Sequence, residues 1–130
     1  MKNDKYDSGM KIRRTVLGDN YVDKAINNAT DFTRPLQDMV TEYCWGGIWA
    51  GGVLPNQTRS LVTIATLSAL KATTELKTHV LGALRNGCRV DEIQDVLLQS
   101  TVYCGVPTGI GAFRAAKEVI ELWQSDQDNA

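Results

Sequence analysis

Three side chains in the middle of the chain have types and spacing that suit chemistry on a small anion. Arg59 lies near the start of one apolar-periodic segment. Glu75 and His79 lie four residues apart in the next, which places them on one face of a helix. His79 is the only histidine in the 130 residues. A guanidinium can grip a carboxylate with two parallel hydrogen bonds. An imidazole titrates closer to neutrality than any other unperturbed side chain and can move one proton. Glu75 could fix its tautomer and raise its pKa. The plainer view of the same residues is a surface Glu–His pair worth a few tenths of a kcal/mol and a solvated arginine.

The segment that must position them is PNQTRSLVTIATLSALKATTELKTHVLGALRNG, residues 55–87. Its spacing predicts two helices in series. The first runs from about Asn56 to Lys71, with Leu61, Ile64, Ala65 and Ser68 on its apolar side. The second follows Thr73-Thr74 as a cap and stops at Asn86-Gly87.

Around this pair the chain reads as helical throughout. A short helix is expected over residues 10–17 and another after Asp19 as cap. A third begins near Arg34-Pro35 with Thr33 as cap, where proline is tolerated in a first turn. It runs into Cys44-Trp45-Gly46-Gly47-Ile48-Trp49, where two of the three tryptophans flank a Gly-Gly pair. That cluster reads equally as a hydrophobic plug at a helix or subunit junction and as a pocket wall closed by a flexible loop. A helix from Val90 to Cys104 should turn Ile93, Val96, Leu97 and Ser100 inward. Pro107 should open a last one carrying Ala112, Ala115, Ala116, Val119, Ile120 and Trp123, with a frayed tail from Ser125. Tyr103 and Cys104 are read as core, and alternatively as lining of a substrate site. No alternating strand pattern, linker or repeat is present. The class is all-α in one domain over residues 1–130.

Bulk properties narrow the partners. A net charge of -1 without a basic run gives no reason to expect nucleic acid. No apolar stretch reaches membrane-spanning length, and the N-terminal stretch MKNDKYDSGMKIRR lacks a secretory apolar region. Cys44, Cys88 and Cys104 are an odd number without Cys-x-x-Cys spacing, as expected of reduced thiols in the cytoplasm. One histidine and no clustered acids argue against a His-based metal site. Many alanines, glycine-rich loops and exposed tryptophans suggest that the chain buries apolar surface by self-association.

The ordered motifs carry a further signal. YDSGMKIRRTVLGDNYVDKA, FTRPLQDMVTEYCWGGIW, LPNQTRSLVTIATLSAL, ELKTHVLGALRNGC and DEIQDVLLQSTVYCGVP follow one another over nearly the whole chain. In this order they resemble the carboxymuconolactone decarboxylase family, and GMKIRRTVLG with VLLQSTVYCGVP resembles its decarboxylase branch. The resemblance implies an all-helical fold of the alkylhydroperoxidase D-like type. It also implies a ring-like homo-oligomer, trimer or hexamer, and cofactor-free decarboxylation of 4-carboxymuconolactone in aromatic-compound breakdown by the β-ketoadipate route. On that footing Arg59 is expected to clamp a carboxylate, His79 to act as general acid and Glu75 to orient it. Trp45, Trp49, Tyr103 and Cys104 are expected to line the substrate.

Alternatives follow from the same residues. The redox branch of the superfamily carries Cys-x-x-Cys with three residues between its second cysteine and its histidine. Here Ala72 and Glu75 stand at the two cysteine positions, and Ser60 stands where that branch often has an acid. A thiol-dependent hydroperoxidase would need Cys104 or Cys44 in an unfamiliar geometry. A non-catalytic helical module binding an aromatic-derived acid is the alternative of another class. Tyr21, Gly47 and Ile110 depart from the decarboxylase pattern, each removing a polar group that could touch substrate.

Overall fold

The computed structural model describes residues 3–129; Met1 and Lys2 of the polar N-terminal stretch, and Ala130 of the C-terminal tail, lie outside the described residues. The described residues are helical with no strand, as the absence of period-two patterning requires. Internal contacts group them into two compact units, split between Asn56 and Gln57.

The first unit holds α1 (Asp4–Leu17), α2 (Asp19–Asn27) and α3 (Arg34–Met39), the last passing without a break into a π-helical stretch, Val40–Trp49. α1 begins six residues earlier than the sequence predicts. Asn3 caps it by accepting from the Tyr6 amide at 2.9 Å, and Asp4 and Asp7 suit the positive end of the helix dipole. Gly18, at φ 88°, turns the chain into α2 and takes the cap position expected of Asp19. Asp19 is instead the first helical residue and, with Asp23, pairs with Arg14 across the corner, at 3.1 and 2.8 Å. Thr33 does occupy the cap position of α3, but its hydroxyl accepts from the Thr30 amide rather than from the helix.

The Trp-Gly-Gly-Ile-Trp cluster is not a loop. It is the body of the π-helical stretch, which closes with Ala50 N–H donating to Trp45 C=O at 2.8 Å, a five-residue step. The glycines serve packing. A Cβ on Gly9 would strike the Thr41 carbonyl, and one on Gly46 the Lys5 carbonyl, so α1 and the π-helical stretch meet backbone to backbone. Trp45 and Trp49 are 3% and 6% exposed and stack at 4.7 Å on the same core as Val16, Leu17 and Val22. The expectation that exposed tryptophans drive self-association is therefore corrected for these two: the chain's own core already covers them. Arg13 is 4% exposed in the same unit and donates to Thr41 Oγ1 and Gln37 Oε1. Burial pushes its pKa down.

The second unit holds α4 (Asn56–Ala69), which starts at the boundary, α5 (Thr73–Arg85), α6 (Val90–Cys104) and α7 (Val106–Asp128). Its core combines Ile64 of α4, Leu76, Val80, Ala83 and Leu84 of α5, Ile93 and Leu97 of α6, and Ala112, Ala115 and Ala116 of α7. The inward faces predicted for α6 and α7 are the ones observed; on α4, Ile64 and Ser68 are buried as predicted, Leu61 and Ala65 only in part, and Ser60 is buried with them. Small residues permit the close approach: a Cβ on Gly109 would overlap the Thr101 side chain where α7 crosses α6. α7 continues to Asp128 instead of fraying at Ser125, with Lys117 and Glu121 paired one turn apart on its solvent side.

Candidate active site

Arg59, Glu75 and His79 all fall in the second unit, on the α4–α5 hairpin. α4 buries a stripe at every fourth residue, Ser60, Ile64 and Ser68. Arg59 flanks that stripe and is half-buried. Its Nε is buried and has no hydrogen-bond partner among the described residues. A buried guanidinium N–H left unpaired is costly and calls for an acceptor.

α5 buries Leu76, Val80, Ala83 and Leu84 and leaves His79 half-buried beside them. Burial lowers the His79 pKa to about 4. The net shift runs opposite to the expectation that Glu75 would raise it, because desolvation of the imidazolium outweighs any attraction to a carboxylate standing in solvent. Glu75 is exposed in the first turn of α5, one turn before His79.

The register of the hairpin is fixed at its open end. At the open end Asn86 Nδ2 donates to Ser60 Oγ at 2.9 Å, and Cys88 Sγ donates to the Gln57 carbonyl at 3.5 Å. At the turn, Ser68, Lys71, Thr73 and Leu76 line one cavity of about 180 Å³ together with Thr108 of α7. Counted from the Asn86–Ser60 bond, His79 falls opposite Leu67, about 12 Å along the axis from Arg59 at about 1.5 Å per residue. None of the predicted site residues lines the cavity at the turn.

Tyr103 and Cys104 end α6 in solvent, Tyr103 at 83% exposure. The reading of both as core is corrected: the helix buries Ile93 and Leu97, and its last turn points past the core. Val102, Val106 and Ile110 are exposed around them. Trp45 and Trp49 belong to the core of the first unit. All three cysteines are free thiols. Burial raises the pKa of Cys44 and Cys88, which works against a nucleophilic thiolate at either. Among the described residues no group of three or more His, Cys, Asp or Glu is placed to hold a metal ion.

Two residues of the hairpin were passed over in the sequence. Asn86 reads there only as a helix stop, and Ser60 only as a position without an acid. The available signal was Ser60's place on the same fourfold stripe as Ile64, which buries a hydroxyl that must find a partner.

Residues 34–118 match the model of the carboxymuconolactone decarboxylase family. The chain is 42% identical over 115 residues to a nitrosuccinic acid decarboxylase of Metarhizium robertsii, covering 88% of this chain and 80% of that one. It is 36% identical over 117 residues to a 4-carboxymuconolactone decarboxylase of Acinetobacter baylyi, covering 90% and 87%. A shorter match, 43% over 42 residues, covers 32% of this chain and 88% of a 4-carboxymuconolactone decarboxylase sequence of Pseudomonas putida.

Proposed function

The chain belongs to the carboxymuconolactone decarboxylase family, and on that footing we propose that it is a cofactor-free decarboxylase of a small dianionic acid, 4-carboxymuconolactone or a close chemical analogue. The two acids named for its relatives share a skeleton. In 4-carboxymuconolactone the carbon that loses CO2 bears a carboxymethyl arm and is conjugated through the ring double bond to the lactone carbonyl. In nitrosuccinic acid that carbon bears a carboxymethyl arm and a nitro group. Each is a succinate whose reacting carbon carries an electron sink. When the C–CO2 bond breaks, its electron pair moves to the lactone carbonyl oxygen as a dienolate or to the nitro oxygens as a nitronate. The substrate thus provides what a pyridoxal or thiamin cofactor would otherwise supply.

Three tasks fall to the protein: hold the carboxylate that stays, tolerate the developing charge, and return one proton to carbon. The observation that carries the proposal is the buried, unpartnered Nε–H of Arg59 on a half-buried guanidinium. A carboxylate binding through Nε and one Nη would satisfy it bidentately. His79 acts at the other end. With a pKa of about 4 it is neutral in the empty site at pH 7. A dianion bound beside it favours the imidazolium, so the proton enters with the substrate. After CO2 departs, that proton goes to the carbanionic carbon and the imidazole returns to its neutral form.

The test is direct. Purified protein is given 4-carboxymuconolactone and nitrosuccinate in separate reactions, and CO2 release is measured. Incubation in D2O should place one deuterium on the product carbon. Release from at least one acid without added cofactor or metal is the expected result. No release from either refutes the proposal and favours a non-catalytic binding module.

A further inference from the structure

The open end of the α4–α5 hairpin is tied by two hydrogen bonds and one close approach, all to α4 residues within two positions of Arg59. Ser60 is fully buried and its hydroxyl accepts from Asn86 Nδ2. The Gln57 carbonyl accepts from the buried Cys88 thiol. Gly87, at φ 90°, lies so close to Gln57 that a Cβ there would come within 2.8 Å of Nε2. Asn86 is also the C-cap of α5, its amide donating to the Gly82 carbonyl at 2.9 Å. One residue therefore ends the His79 helix and grips the first turn of the Arg59 helix.

Among the described residues Arg59 has no comparable restraint of its own. Its Nε makes no hydrogen bond, so the direction of the guanidinium depends on how the first turn of α4 sits. Given the function proposed above, on which this inference rests, we infer that Asn86 and Ser60 form a positioning pair that aims Arg59 at the substrate carboxylate. Their loss acts on carboxylate capture and leaves proton delivery by His79 alone. Without Asn86, the Ser60 hydroxyl stays buried with no partner and the turn shifts to hydrate it.

Kinetics on Ser60→Ala, Asn86→Ala and the double variant test this. The substrate is whichever of 4-carboxymuconolactone and nitrosuccinate the wild type decarboxylates faster. Each single variant should raise KM about tenfold and change kcat less than about threefold. The pH profile of kcat should not move, which a general loosening of the site would not spare. The double variant should match the worse single one, because both break the same bond. Should Asn86→Ala fail to fold, Ser60→Ala, which deletes one oxygen, carries the same test. Arg59→Lys is the reference. If it raises KM while the folded Ser60→Ala and Asn86→Ala enzymes keep wild-type KM, the positioning role is overturned and the function stands. Additive effects in the double variant, or a fall in kcat at constant KM, also overturn it. If Arg59→Lys leaves KM unchanged, the proposed function loses its carboxylate clamp and this inference falls with it.

Discussion

Burial of His79 makes a prediction about stability that needs no substrate. Its pKa falls from the ordinary 6.5 to about 4 in the folded chain because the charged ring is poorly solvated. The folded pKa lies below the unfolded one, so between those values the unfolded chain binds the proton and the folded chain does not. Stability is therefore full above pH 6.5 and is lost as pH falls towards 4. The whole shift amounts to about 3 kcal/mol at 1.36 kcal/mol per pH unit. Between pH 7 and pH 5 the linkage relation gives a loss of about 2 kcal/mol from this group alone. The assay is urea unfolding of wild type and His79→Gln at pH 7, 6 and 5, at one protein concentration. The carboxylates titrate in both proteins, so the difference isolates the imidazole. Wild type should lose about 2 kcal/mol more than the variant between pH 7 and 5. Equal losses would refute the assignment of a neutral, desolvated His79 and the proton uptake built on it.

Other expected outcomes follow from the same geometry. His79→Gln should lower kcat by about 10²- to 10⁴-fold with substrate affinity largely kept, the range for a positioned acid; Arg59→Lys should raise KM at least as much as it lowers kcat, since the charge stays and the fork is lost. Replacing all three cysteines by serine or alanine should leave decarboxylation within about tenfold, a barrier change near 1.4 kcal/mol; a loss of several orders in a folded variant would return the chemistry to a thiol. Gly46→Ala should destabilise the fold by about 1–3 kcal/mol in a thermal or urea melt, because its Cβ would strike the Lys5 carbonyl and α1 would have to move away. Sedimentation should show a homo-oligomer larger than a dimer, and a stable monomer at micromolar concentration would count against the ring-like assembly.

Much of the second unit was legible in the sequence because its signals are local. Ile93 and Leu97, or Ala112, Ala115 and Ala116, repeat at helical spacing, and burial follows that spacing whatever the neighbours are. Arg59, Glu75 and His79 could be placed on adjoining helices for the same reason, and the ordered motifs sufficed to indicate the family. The first unit was less legible. Glycine pairs ordinarily mark loops, yet Gly46 is helical because α1 lies against it too closely for a side chain, a fact about a segment some forty residues away.

Protonation and partnership lay beyond the sequence altogether. A histidine four residues after a glutamate looks like half of an ion pair, and the spacing alone implies a raised pKa. The tertiary structure leaves Glu75 in water and sets His79 against the core, so desolvation prevails and the pKa falls. Likewise the chain order says nothing of Asn86 reaching Ser60, since the bond closes a 26-residue separation through the hairpin turn. Residue types and periodicity determine which chemistry the chain carries and on which helices. Which groups are charged, and which are held in place, depends on burial and on contacts between distant residues, and those exist only once the helices have packed.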